Sequence, residues 1–320
     1  MATEVGTTNQ STYMPSIPLP PESLYSPAKT EGALNEVENG FESAEPSHVD
    51  RFVDDGYVVV RRAFNSVQVQ CGLDCIDRLA GEQNEAFNRA CDAMAKCKPL
   101  MAFGRGEPAM QFEESAQDFP KGERAHLIRK LQNYHDYEDG LKMFSESATM
   151  KKFCRELIDG PESDIKLEIF QSLALLKPAK VGREKPWHQD HAYFNVPIKK
   201  SRSGAPTEVL GIWIALEEAT VENGCMHILP GWHVSKGPII HFQRRDWQIC
   251  DTDVPPCVPV EMKPGDALFF SSLLPHGTPP NLSNKSRRAI QYHLVPKGME
   301  RTSEADRLEV FGSEGKSVEC

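Results

Sequence analysis

Residues 263–294 read KPGDALFFSSLLPHGTPPNLSNKSRRAIQYHL. Two apolar, β-rich runs, ALFF and AIQYHL, flank a stretch dense in Pro, Gly, Asn and Ser. That punctuation marks two short strands joined by a turn. His276 stands where the first run ends, and Arg287 opens the second, eleven residues later. The turn through PPNLSNKS is expected to bring the second strand back antiparallel to the one carrying His276. Side-chain alternation then decides which arginine faces inward. With Arg287 inward, Ala289 and Gln291 share its face, while Ile290, Tyr292 and Leu294 pack on the other. A pocket lined by small and polar residues places Arg287 inside and leaves Arg288 to a surface Lys/Arg cluster.

The same texture extends through the C-terminal half. IKLEIFQSLALLKP (165–178), EVLGIWIALEEA (208–219) and CMHILPG (225–231) are short apolar runs with irregularly spaced turn residues. Many such strands predict an antiparallel double sheet over residues 161–300, a sandwich or barrel. Residues 46–160 read as a helical layer that supports it. Ser47 caps a helix ended by Asp55-Gly56, a β-rich run covers 57–61, and helices cover about 67–96 (broken near Gly81) and 137–157. Residues 100–125 look irregular, and FGRGEPAMQFEESAQDF (103–119) reads as a lid. Residues 1–45, rich in Ser, Thr, Pro and Glu, read as a disordered tail, and 301–320 as a C-terminal tail. The expected class is mainly β with a helical N-terminal layer, in one catalytic unit.

KPWHQDHAYF (185–194) supplies the chemistry. In an extended segment, residues i and i+2 point the same way. His188 and Asp190 therefore converge while Gln189 turns away. An imidazole and a carboxylate at a strand end supply two of three ligands for a metal, and His276 is the candidate third. Two His and one carboxylate on one face leave sites open, the facial arrangement of non-haem Fe(II) oxygenases. Zinc accepts the same donors, but its hydrolytic sites favour other spacings. Alone, an HxD pair is a weak signal, and a histidine in a capped turn is its bland reading. The inward Arg287 strengthens it, because a guanidinium can grip the far carboxylate of a dicarboxylate whose near end chelates the metal.

Composition excludes several partners. The chain carries 36 Lys and Arg against 46 Asp and Glu, a net charge of −10, which disfavours nucleic acid and anionic membrane surfaces. No apolar run approaches the ~20 residues of a bilayer span. The opening MATEVGTTNQ lacks the regions of a signal peptide, Lys29 is the lone Lys or Arg before Arg51, and the ending VEC is not a peroxisomal SKL. Nine cysteines without a CxxC pair fit buried thiols in a reducing cytoplasm.

Taken together, WHQDHAYF, LGIWIALEEATVENGCMHILPGWH and the stretch quoted first resemble the phytanoyl-CoA dioxygenase family of Fe(II)/2-oxoglutarate oxygenases, over roughly residues 50–296. The shared features are HxD, the NGC...LPG.H hairpin, the PGD strand start, and an arginine eleven residues after a histidine. The resemblance implies a double-stranded β-helix (a cupin-like jelly roll). It implies Fe(2+) held by His188, Asp190 and His276, with 2-oxoglutarate gripped by Arg287 and O2 as the oxidant. It places Trp213 beside the cosubstrate, although ordinary core is an equal reading. Thr278 stands for a family serine. Lys130 aligns with a cosubstrate lysine, with a surface role as the alternative. Gln189 matches the glutamine between the ligands, where it would support the cofactor site. His191 faces away from His188 and reads as a pocket or supporting residue. His233 reads as structural, with a substrate contact as its rival.

Halogenating relatives replace the aspartate by a small residue, so Asp190 implies hydroxylation or a related oxidation. The substrate class is a small metabolite of a biosynthetic pathway, with acyl-CoA thioesters as the alternative. The basic loop VPIKKSRSGAP (196–206) could meet an anionic substrate or be a solvated face. A non-catalytic binding protein retaining the fold is the rival from another class, and a homodimer is left open.

Overall fold

The computed structural model describes residues 24–25, 34–94, 109–198, 209–243, 246–249 and 256–315. Strands are numbered in chain order. Among the described residues, eight form a large sheet in the order β1 (Glu36–Val37), β2 (Tyr57–Val60), β12 (Ala267–Ser271), β7 (Leu210–Ala215), β14 (Arg287–Pro296), β5 (Leu167–Lys177), β4 (Ile128–Gln132) and β3 (Ala109–Phe112). A smaller sheet holds β11 (Val258–Val260), β8 (Met226–Ile228), β13 (His276–Thr278) and β6 (Lys185–His188). The ribbon β9 (Phe242–Gln243) and β10 (Trp247–Gln248) stands apart. β1 runs parallel to β2, and the other pairings are antiparallel.

Alternation along the large sheet sorts its side chains into two cores. Val58, Ile212, Phe269, Ile290 and Tyr292 merge with apolar residues of five helices. These are α1 (Pro46–Asp55), α2 (Ser66–Leu79), α3 (Glu85–Met94), α4 (Asp139–Ser145) and α5 (Ala148–Asp159). The opposite face carries Val59, Trp213, Phe270 and Ala289, which pack on Met226, Ile228, Val258 and Val260 of the smaller sheet. The molecule is thus sheet-rich, with the large sheet between a helical layer and the small sheet, as the texture of the sequence predicts. No helix among the described residues is long and apolar enough to cross a membrane.

Two glycines explain motifs read from sequence. Gly265 of the PGD turn has φ +92, and a Cβ there would lie 2.2 Å from the Phe64 carbonyl oxygen. Gly224 of NGC has φ +82, with a Cβ position 2.4 Å from the Pro279 carbonyl oxygen. Only a residue without a Cβ fits either place.

Several expectations need correction. His276 does not end the ALFF strand. The chain turns after β12, where the Leu274 N–H donates to the Ser271 carbonyl at 2.8 Å, and His276 opens β13 in the other sheet. Nor does Arg287's strand pair with His276's: β14 lies between β5 and β7. Pro279 and Pro280 lack the N–H groups a hairpin ladder needs, so this segment crosses from one sheet to the other.

Residues 34–45, assigned to the tail, include β1, whose Val37 is fully buried, and Asn35, whose amide donates to the carbonyls of Tyr57 and His48. Tyr25 stacks on Trp187 at 5.5 Å. The C-terminal segment also packs. After α6 (Trp232–Ser235) comes α7 (Glu304–Phe311), capped by Ser303, with Phe311 buried and Arg307 donating to the Ala192 carbonyl at 2.7 Å. Of the stretch 100–125, residues 109–112 are β3 rather than irregular; the lid glycines near 103–108 and the basic loop at 199–206 lie outside the described residues.

Candidate metal centre

His188 ends β6, Asp190 follows it, and His276 is the ladder partner of His188 on β13. That pairing sets the two imidazoles side by side, with ring centroids 4.3 Å apart. The Nε2 atoms of His188 and His276 lie 3.2 and 3.6 Å from the Asp190 carboxylate oxygens. One ligand atom from each of the three residues falls within 4.8 Å of the others, and all three are buried.

The ring orientation is set locally. The Nδ1–H of His188 donates to the Pro186 carbonyl at 2.8 Å, and that of His276 to the Leu274 carbonyl at 2.9 Å. A carbonyl only accepts, so Nδ1 carries a proton and Nε2 is the nitrogen each neutral ring would offer a cation. Burial pushes His276 down to about 4, which keeps it neutral near pH 7. Burial alone would raise the Asp190 carboxyl, but the imidazoles of His276 and His293 outweigh it and hold it well below the usual range. Gln291 and His293 donate to Asp190 Oδ2 at 3.1 and 2.8 Å, which fixes its rotamer. Two imidazole nitrogens and one oriented carboxylate suit Fe(2+).

Arg287 opens β14 on the same cavity, of about 410 Å³, which also takes in Trp213, Thr278, Lys177 and Lys130. Its guanidinium is 3% exposed, with Nε and Nη1 lacking any hydrogen-bond partner, and stands over the Trp213 ring at 5.2 Å. Burial pushes it down to about 10, leaving it cationic. A buried charge without acceptors is costly. The Trp213 indole N–H is likewise unpartnered. These donors await an anion, and the distal carboxylate of 2-oxoglutarate fits them.

Sequence and structure agree on Arg288, which points the other way to Glu217 and Asp77. Gln291 lines the cavity, as alternation predicts. Gln189 is a correction: it does not reach the cofactor site. Its amide donates to the carbonyls of Gly237 and Leu273 and accepts from the Ile239 N–H, so it clamps the wall behind the metal ligands. His191 is not in the pocket either, being held by Ser272 Oγ and the Val196 carbonyl. His233 bonds the Val53 carbonyl, in keeping with a structural role.

The sequence reading missed Lys177, Arg129 and His293. Lys177 and His293 each had a signal, since alternation from Leu173 and Leu175, and from Arg287 and Gln291, reaches them. Arg129 lines the cavity while paired with Glu113 at 3.5 Å, and Arg183 meets the same carboxylate at 3.6 Å.

Comparison with known proteins gives the family and the fold. The chain is 30% identical over 191 residues to a probable phytanoyl-CoA dioxygenase of Caenorhabditis elegans, a match covering 56% of this chain and 57% of that one. The chain spans about half the length of the curated relatives it matches. Among solved structures, EvdO2 from Micromonospora carbonacea var. aurantiaca, complexed with 2-oxoglutarate, superposes with a TM-score of 0.54 at 22% identity, over 82% of this chain and 94% of that one. The epimerase SnoN, in complex with Fe3+, alpha ketoglutarate and nogalamycin RO, gives a TM-score of 0.54 at 18% identity, over 86% and 94%. At these identities the likeness is one of fold. The model of the family Phytanoyl-CoA dioxygenase (PhyH) matches residues 52–289, most of the sequence, and the chain belongs to that family.

Proposed function

We propose that this protein is an Fe(II)- and 2-oxoglutarate-dependent dioxygenase that hydroxylates an unactivated C–H bond of a small organic metabolite, in a biosynthetic pathway. The observation that carries the reading is the pairing of two features in one cavity: the His188, Asp190 and His276 cluster, and a buried guanidinium with unpartnered N–H groups. His188, Asp190 and His276 would hold the iron. Arg287, Thr278 and Trp213 would receive the cosubstrate, with Lys130 of β4 also on the cavity wall. The two sheets would form the double-stranded β-helix of a single catalytic domain.

When bound, iron and 2-oxoglutarate together supply the O2-dependent oxidation, which releases succinate and CO2. The chain's own groups do the rest. His276 and His188 present their Nε2 nitrogens, Asp190 is locked by Gln291 and His293, and Arg287 would set the register of the dicarboxylate. The cavity volume suits a small ligand beside the cosubstrate. Its wall also carries Arg129, Lys130, Arg183 and Lys185 against Glu113, Asp190 and Asp246, which favours a polar, acid-bearing metabolite over a plain lipid chain. The thiols at Cys71, Cys75, Cys91, Cys154 and Cys225, outside any disulfide among the described residues, fit the reducing cytoplasm.

The test is iron-dependent succinate release from 2-oxoglutarate across a panel of small acids and acyl-CoA thioesters. Release should vanish in His188→Ala and Asp190→Ala. Retention of succinate formation in both variants would refute the ligand assignment.

A further inference from the structure

Beside Arg287 the cavity wall holds a second buried cation, to which the reading above gives no role. Lys177 closes β5 as the ladder partner of Arg287 and is 5% exposed. Its ammonium meets three oxygens: the Thr278 hydroxyl at 2.8 Å, the Thr278 carbonyl at 3.4 Å, and the carbonyl of Pro279. Gly224 leaves the room, since a Cβ there would lie 3.1 Å from Nζ. Burial, together with the charges of Arg287 and Arg129, pushes the Lys177 ammonium well below its ordinary range, and three acceptors matched to its three protons oppose that loss of charge.

In that charged form Nζ has no lone pair, so every one of these contacts is a donation from Lys177, whereas a neutral amine would accept from the Thr278 hydroxyl. The Thr278 hydroxyl oxygen therefore accepts, and its own proton is left to donate elsewhere. Thr278 and Arg287 line the same cavity, where Arg287 Nε and Nη1 lack acceptors. We propose that Lys177 is a positioning residue: by occupying the Thr278 oxygen it makes that hydroxyl an obligate donor, aimed with Arg287 at one carboxylate of the cosubstrate. This rests on the oxygenase reading above. In that arrangement Lys177 touches no ligand atom. It sets the polarity of one that does.

A double-mutant cycle, read by anaerobic calorimetry of 2-oxoglutarate binding to the Fe(II)-loaded protein, tests the assignment. Lys177→Met and Thr278→Val should each weaken binding roughly ten- to hundredfold, the range for a hydrogen bond to a charged group. The double variant should bind no worse than the weaker single, and Thr278→Ser should stay within about twofold of wild type. Succinate, which shares the distal carboxylate, should show the same losses. If Lys177→Met does not fold, Lys177→Gln takes its place, since it keeps two donors for the two carbonyls. Additive losses, or unchanged binding in the Lys177 variant, overturn the proposal while the oxygenase reading stands. A wild-type protein that binds no 2-oxoglutarate removes both.

Discussion

The two ends of the cavity follow opposite rules. At the metal end the three candidate ligands are already engaged: His188 and His276 each spend an Nδ1 proton on a carbonyl, and Asp190 accepts from Gln291 and His293. At the other end Arg287 presents two buried N–H groups that nothing accepts. One end offers lone pairs and a negative charge, the other bare donors and a positive one. A ligand that bridges them needs a cation at its first contact and an anion at its last. The difference also predicts how each end should respond to mutation, because a satisfied cluster and a starved one carry different stability costs.

The largest effect belongs to the metal end. Asp190→Ala removes the one carboxylate among the donors and strands the N–H groups of Gln291 and His293. Turnover should fall below detection and iron should be lost on dialysis, as measured by metal analysis. Arg287→Met comes next and breaks the comparison in an instructive direction. It should weaken 2-oxoglutarate binding roughly a hundredfold. In the unliganded protein it should raise Tm, because it removes an uncompensated buried charge. A fall in Tm would mean that the guanidinium has acceptors and that the two ends are built alike.

Much of this site was legible because it depends on period two. His188 and Asp190 are an i and i+2 pair across the extended Gln189, Arg287 and Gln291 an i and i+4 pair on a strand, and one face collects each set. What alternation cannot tell is which sheet a strand joins. The hydrogen-bonding consequence of Pro279 and Pro280 put His276 and Arg287 in different sheets, and reading the turn as a hairpin missed it. Gln189 was misplaced for a related reason: its position between two ligands suggested support of the cofactor, whereas pointing away gave its amide three backbone partners. Val37 and Tyr25 were hidden because single buried residues in a Ser/Pro/Glu-rich stretch leave no periodic trace.

His241 sharpens the comparison from behind the metal end. Its Nδ1–H donates to the Ile239 carbonyl, as in both metal-facing histidines, but its Nε2 accepts from the Gln189 N–H at 3.2 Å and so has no lone pair left for a cation. Burial pushes it from 6.5 down to about 3. Between those values the unfolded chain takes up the proton and the folded one does not, so stability falls as pH drops from 6.5 toward 3. Each such proton contributes a slope of about 1.4 kcal/mol per pH unit. His241→Gln should flatten the acid limb of a stability-versus-pH curve by about one proton. An unchanged limb would show that this imidazole is charged in the fold.

The smallest effect is expected at Arg288, one residue from the starved end yet on the other face of β14. It donates to Glu217 through Nε and Nη2 at 3.0 and 2.8 Å, and to Asp77 through Nη1 at 2.8 Å, with its side chain 23% exposed. Pairs this close to solvent contribute about 1 kcal/mol at most. Arg288→Ala should lower Tm by about 2–4 °C and leave 2-oxoglutarate binding unchanged. The contrast with Arg287→Met then isolates direction as the variable, since the two residues share a strand, a charge and nearly a position. If Arg288→Ala lost the cosubstrate and Arg287→Met kept it, the inward face of β14 would have been assigned backwards. The polar lining argued from Gln291 would go with it.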